Sequence, residues 1–555
     1  MPHPVRHRRH RLARLLAAAF ATCAIAAQAA PAATIPQLRP QGTTTQLVVD
    51  GKPFLVLGGE LHNSSASNLD YLDKQWPRLK AAGLNTVIAP VEWDQVEPSQ
   101  GRYDFTVVDG MLKQARTHGM KLVLLWFGAW KNSMSTYVPD YVKLDPARFS
   151  HTRTRAGVPQ EILTPFDADL LAADQAALSA MLRHLAATDR EHTVVMLQIE
   201  NEIGMLPEVR DYGPLAEAAW KSPVPQPFIA YLQAHASTLQ PNVRGLWEAH
   251  GARTAGTWAE VFGDSVEAQE VFQAWYFAAF TEQLARAAKA AYPIPNYVNV
   301  ALSRPGRKPG EYPSAGPLPH LVDVWKAGAP AVDVIGMDIY FDNFQEWARK
   351  FKRPDNPLFI PEANNAGRPD AGANAFWAIG ELDAIGYSPF AIDGIDDAGR
   401  DTLASAYGVL RQLSPQILAA QGQGRMRGFK APASYDGIVD RKPQEATMGR
   451  YKLSVSFANP FAPTRDADVA AHGGLVLQLG EDEYLVAGHG IVVTFADATG
   501  AGDGVGFLRL AEGTFENGVW KEGRLLNGDE SHQGRHVRLE GGGFSIQRVK
   551  LYRYR

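Results

Sequence analysis

Cysteine is almost missing from this chain. The one cysteine among 555 residues, Cys23, stands in an N-terminal leader that reads as a removable segment. A mature chain without that leader has no thiol, which excludes disulfides, thiolate nucleophiles and Cys-ligated metals. Charge of one sign is missing too. Lys and Arg number 55 against 59 Asp and Glu, a formal net charge of -4, and no basic run lies outside the N-terminus. That balance argues against nucleic acid as a partner. The 15 His residues show no HExxH or other ligand spacing, so the sequence implies no metal and no cofactor. The N-terminal apolar run, residues 15–27, falls short of the roughly 20 residues that span a bilayer. It follows a basic head (6–14) and precedes the small-residue cleavage site Ala27-Gln28-Ala29. Residues 1–29 therefore read as a secretory signal peptide, implying export to the periplasm or beyond. A polar leader follows at 30–45.

Apolar residues are plentiful, at 45%, and aromatic residues make up 10%, with 12 Trp. Such a chain builds large cores and offers flat apolar surface that suits sugars. Between residues 46 and 422, eight apolar runs look like buried parallel strands: 53–60, 85–93, 121–128, 193–200, 296–302, 332–340, 357–362 and 387–393. Most are separated by segments such as YLDKQWPRLKAAG, where apolar residues recur every three or four positions, with Gly83 and Gly119 at helix ends. Eight strands with helical crossovers predict an α/β protein, a TIM (β/α)8 barrel. The excess over a minimal barrel lies between 205 and 290, in a loop region expected to shape the pocket. From 423 to 555 the texture changes to strand-like runs between Gly- and Asp-containing turns, which predicts a small all-β, sandwich-like domain.

Active sites of such barrels lie at the C-terminal ends of the strands. There the fourth strand ends in Gln198, Glu200, Asn201 and Glu202, and the seventh ends in Glu362. Two carboxylates facing each other across one barrel mouth suit cleavage of a glycosidic bond. Glu200 and Glu202 lie two residues apart, so a continuing strand would point both the same way, and spacing does not choose between them.

QIENEIG (198–204) resembles the QxENE[YF]G signature of the glycoside hydrolase family 35 β-galactosidases. AAGLNTVIAPVEWDQVEPSQGRYDF, with Trp93, Glu97 and Gly101, is similar to the segment around strand two of these enzymes. GGELHNS, with His62, resembles their first strand. The resemblance covers about residues 47–400 and places the chain near a bacterial branch with a barrel plus one β domain. It implies that Glu202 is the acid/base, that Glu362 is the nucleophile, that Asn201 touches the sugar 2-hydroxyl and that Tyr340 hydrogen-bonds the nucleophile. Two departures stand out: Pro90 replaces a Tyr of many members, and FGAWKNSMS replaces a Cys-Ala-Glu segment. Trp130, Lys131 and Asn132 are the expected substitutes as sugar contacts. The implied activity is a retaining exo-β-galactosidase acting on a carbohydrate substrate, with xyloglucan side chains as one target. The same mechanism on a glucoside, mannoside or arabinoside is an alternative, as is a non-catalytic carbohydrate-binding protein. Trp247, Glu248, His250 and Trp377 read as structural.

Overall fold

The computed structural model describes Met1 and residues 34–458, 468–540 and 542–555. The leader, with Cys23 and its cleavage site, lies outside the described residues. Strand one is Val56–Glu60, two is Thr86–Glu92, three is Lys121–Lys131, four is Val194–Asn201 and five is Asn296–Val298. Strand six is broken into Val334–Ile335 and Asp338–Ile339; seven is Ile360–Asn365 and eight is Gly386–Phe390. All adjacent pairs are parallel. The break in strand six closes the ring. Its first half pairs with strand five (Tyr297 opposite Val334) and its second with strand seven (Asp338 opposite Glu362). Gly336 sits in the break, where a Cβ would lie 3.0 Å from the Pro361 ring.

These segments read as continuous apolar runs because both of their faces are covered. In strand four every residue is buried. Val56, Ile88, Val123, Leu125, Val195, Val334, Phe359 and Ile385 pack together as the barrel's interior cluster. Leu47 and Val49 join that cluster from a three-stranded antiparallel sheet, Gln37–Gln41, Thr44–Val49 and Lys52–Phe54, which runs directly into strand one. The polar leader expected at 30–45 thus includes strand residues, and the run expected at 53–60 is split between this sheet and the barrel. Gly119, in the left-handed region (φ +67), ends the helix Thr106–His118 as expected.

Between strands four and five lie five helices, the last of which, Val266–Ala291, is the crossover. Helix Asp397–Ala420 follows strand eight, and the first strand of the second domain, Met426–Lys430, starts six residues later. That domain is two antiparallel sheets, one of six strands and one of four, around a core that includes Tyr451, Val486 and Val549. It is joined to the barrel through helix Ala371–Leu382, AGANAFWAIGEL, which is buried on nearly every side. A Cβ at Gly380 would lie 2.8 Å from Leu475 Cβ, and one at Gly372 would lie 2.7 Å from Phe544 Cζ. Leu475, Leu477 and Ile546 of the second domain belong to the main core cluster of the barrel.

Candidate active site

Strand three bulges at its end. Trp126 pairs with Ile199, but the next register pair is Lys131 with Asn201, so four residues stand against one. The Glu200 carboxylate fills this bulge and accepts from Trp130 N (2.7 Å) and Ala129 N (3.2 Å). Asp174 of helix Ala168–Thr188 lies against it and accepts from Trp126 Nε1 (2.8 Å). Gly128 is needed here, since a Cβ would sit 2.7 Å from Glu200 Oε1 and 2.4 Å from Trp126 Nε1. Glu200 is fully buried. Burial first, then Asp174, raises its pKa well above the carboxylate range, so the pair shares a proton.

Glu202 goes elsewhere. Residues 200 and 202 both have positive φ, 59° and 45°, so strand alternation ends at this point. The Glu202 carboxylate accepts from Asn132 Nδ2 (2.6 Å), and its backbone N–H donates to Asn299 Oδ1 (2.9 Å). Glu362 faces it from strand seven and accepts from the Tyr340 hydroxyl. Asp338 lies beside both and accepts from Asn299 Nδ2 (2.6 Å). One carboxylate oxygen from each of Glu202, Asp338 and Glu362 falls within 4.8 Å of the others. Lys131 donates to Asn201 Oδ1 (2.8 Å), while Asn201 Nδ2 is buried without a partner among the described residues.

Electrostatics follow from burial. Glu362 is pushed up to about 7, by burial first and by Glu202 second, against the pull of Lys131 and of its hydrogen bonds from Tyr340 and Glu60. Burial also raises Glu202, with Lys131 opposing. Asp338 rises well above the usual range through burial, Glu362 and Glu202. The three carboxylates are close enough to hold a cation. Without a cation, burial and mutual repulsion disfavour the state with all three ionised.

A pocket of about 490 Å³ opens onto Glu202, Asp338, Tyr340 and Phe341. Its far wall comes from the loop after strand five, with Leu302, Arg304 and Tyr312, and from the expected insertion at 205–290 only Leu206 lines it. A second cavity of about 440 Å³, between Val409 of the last barrel helix and Phe544, lies away from the carboxylates.

Of the residues expected in the site, Glu202, Glu362, Asn201, Asn132, Lys131 and Tyr340 converge there. Trp130 does not. It is fully buried, packs edge-on against Phe277 and Phe280, and donates from Nε1 to Leu163 O (2.9 Å), so the expectation of a sugar contact is corrected to a core residue. The strand bulge explains this, because it turns residue 130 outward between strand and helix. Trp93 and Glu97 bond each other in a buried turn, and Trp247 and Trp377 are buried within the helical layer. His62 pairs with Asp393 (3.0 Å) and meets Phe390 edge-on. The sequence motifs do not mark one further residue of the site. Glu60, at the end of strand one, is 1% exposed and has the Glu362 carboxyl as its hydrogen-bond partner. Its position, two residues after Gly58 and four after the interior Val56, was the available signal, since alternation carries that face to residue 60.

Residues 46–130 match the family model described as glycosyl hydrolases family 35, and residues 403–538 match a domain of unknown function, DUF5597. A β-galactosidase of Xanthomonas manihotis is 36% identical over 104 residues, which are 18% of this chain and only 17% of that protein. Among solved structures, the β-galactosidase of Rahnella sp. R3 aligns at 16% identity over 69% of this chain and 58% of that one, with a TM-score of 0.46. The β-galactosidase of the psychrophilic Marinomonas ef1 aligns at 13% identity over 65% and 60%, with a TM-score of 0.45. The match to the glycosyl hydrolase family 35 model thus spans the first three barrel strands, and the match to the domain of unknown function begins within the last barrel helix.

Proposed function

We propose that the protein is a retaining exo-β-galactosidase. The observation that carries this reading is the pair Glu202 and Glu362, brought together from the ends of strands four and seven with one carboxylate oxygen of each within 4.8 Å of the other. Retaining glycosidases hold their carboxyl groups about 5–5.5 Å apart, whereas inverting ones leave about 6.5–9.5 Å for a water. Glu362 attacks the anomeric carbon, held by the Tyr340 hydroxyl. Glu202 gives its proton to the leaving oxygen as that bond breaks, then removes a proton from the water that releases the sugar. Among the described residues, Lys131 is the cation that acts on these carboxylates, and it balances one negative charge. The reactive form is the one with Glu362 ionised and Glu202 protonated. Galactose on xyloglucan side chains fits the branch that the sequence resembles.

A screen of nitrophenyl β-glycosides tests the sugar: the galactoside is cleaved, and β-galactose is released first. Glu362→Gly abolishes turnover, and added azide then yields the α-galactosyl azide. Glu202→Ala spares substrates with good leaving groups and yields the β-azide. Cleavage of a glucoside, mannoside or arabinoside in place of the galactoside would move the same mechanism to another sugar. First release of α-galactose would overturn retention.

A further inference from the structure

The segment after strand six leads from the carboxylates straight to the C-terminal domain. Tyr340 places its hydroxyl on Glu362, yet the residue is 41% exposed. Phe341 lines the pocket beside it. The Phe341 ring meets Tyr435 of the C-terminal domain, with centroids 5.1 Å apart and planes at 62°. Tyr435 belongs to a loop, 432–440, that folds back on itself. Ala433 pairs with Val439, Ser434 N donates to Ile438 O (2.9 Å) and Asp440 N donates to Pro432 O (2.8 Å). Ile438, at the tip, is 73% exposed.

This loop is fastened to the barrel where the pocket wall begins. Gly437, with φ +77, comes so close that a Cβ would lie 2.9 Å from Asp342 Oδ2. Asp342 is in turn held by Arg368 Nη2 (2.6 Å). At the base of the loop, Lys430 O accepts from Gln345 Nε2 of the barrel (3.1 Å) and from Gln444 Nε2 (2.9 Å). The loop is therefore a positioned surface that meets the pocket wall through the Phe341–Tyr435 ring contact. A pyranose offers a flat C–H face, and an aromatic ring is the side chain that covers such a face at low conformational cost.

We propose that Tyr435 and its loop, together with Tyr340 and Phe341, form an aglycone subsite that binds the saccharide units beyond the scissile galactoside. The domain of unknown function would then supply part of the substrate site. The inference rests on the reading of Glu202 and Glu362 as a β-galactosidase pair, and it specifies the substrate class as an oligosaccharide.

The test compares a nitrophenyl β-galactoside, which carries one small ring beyond the galactose, with two oligosaccharides, a linear β-1,4-galactotetraose and a galactosylated xyloglucan oligosaccharide. The wild type should show a lower KM for one of the oligosaccharides, which identifies the source. Tyr435→Ala should raise that KM about tenfold and leave both constants for the nitrophenyl substrate within twofold; Tyr435→Phe should keep the ring and the affinity. Independently of any variant, the galactose-free product of the preferred oligosaccharide should inhibit the wild type competitively on the nitrophenyl substrate. Equal losses on both substrate types would make Tyr435 a brace only and overturn the subsite, as would no loss at all, or no inhibition by the galactose-free product. No cleavage of the nitrophenyl galactoside by the wild type would instead sink the activity on which the subsite depends.

Discussion

Glu60 shows how a single buried side chain tunes its neighbour. Its Oε1 has no donor among the described residues, and its hydrogen-bond partner is another carboxyl, that of Glu362. Two carboxyl groups bond only if one holds a proton, and burial followed by the Glu362 charge pushes Glu60 well above the carboxylate range. Glu60 therefore keeps the proton and donates to the nucleophile, as Tyr340 does from the other side. Glu362 must be ionised to attack, so with a pKa of about 7 the value of kcat/KM falls as pH drops below neutrality. Glu60→Gln keeps a neutral donor and should hold kcat within about tenfold. Glu60→Ala removes a hydrogen bond to a charged group, worth about 1.5–3 kcal/mol, and should cut kcat by about 10- to 100-fold while moving the acid limb to higher pH. A pH–rate series on the nitrophenyl galactoside checks both. An acid limb that stays in place in the alanine variant would show that Glu60 does not act on Glu362.

At the scale of elements, the join of strands three and four separates two carboxylates that the sequence left equivalent. Glu200 is an acceptor for strand three's backbone, and Glu202 faces the pocket. Glu200→Ala leaves Trp130 N–H buried and unpaired, because Ala129 N–H retains Asp174 Oδ2 (3.1 Å). It should cost roughly 1–3 kcal/mol in a denaturation curve. It should also lower activity by shifting Lys131 and Asn132, the next residues in the bulge. Glu200→Gln keeps an acceptor and should restore most of both. A Glu200→Ala protein of normal stability that responds to azide as expected for Glu202→Ala would exchange the two roles. The eight strands were legible because parallel strands covered on both faces leave apolar runs that cannot hide. Glu202, Glu362 and Tyr340 were legible as strand ends plus a resemblance. The fate of Glu200 and Trp130 was not, because it depends on positive φ at residues 200 and 202 and on a bulge held by Asp174, far away in sequence. The pocket's far wall was equally hidden, since nothing in residues 301–313 marks them apart from any other loop.

For the whole molecule, the decisive element is helix Ala371–Leu382. Ten of its twelve residues are buried, some against the barrel and others against strands Met426–Lys430 and Gly473–Gly480. One core cluster runs through both domains. The full chain should therefore melt in one calorimetric transition, with calorimetric and van't Hoff enthalpies in agreement. A chain cut after Gly422 should expose apolar surface and bind a hydrophobic dye. Two separated transitions, or a truncated barrel with native melting behaviour, would show that the domains are independent. The shared helix also bears on inheritance. What looks in sequence like a detachable cassette after residue 422 packs on residues 371–382, a stretch that belongs to the barrel. Recombination at the apparent boundary would hand a partner barrel a β domain with nowhere to sit, so a viable exchange between relatives must carry the last quarter of the barrel along with it.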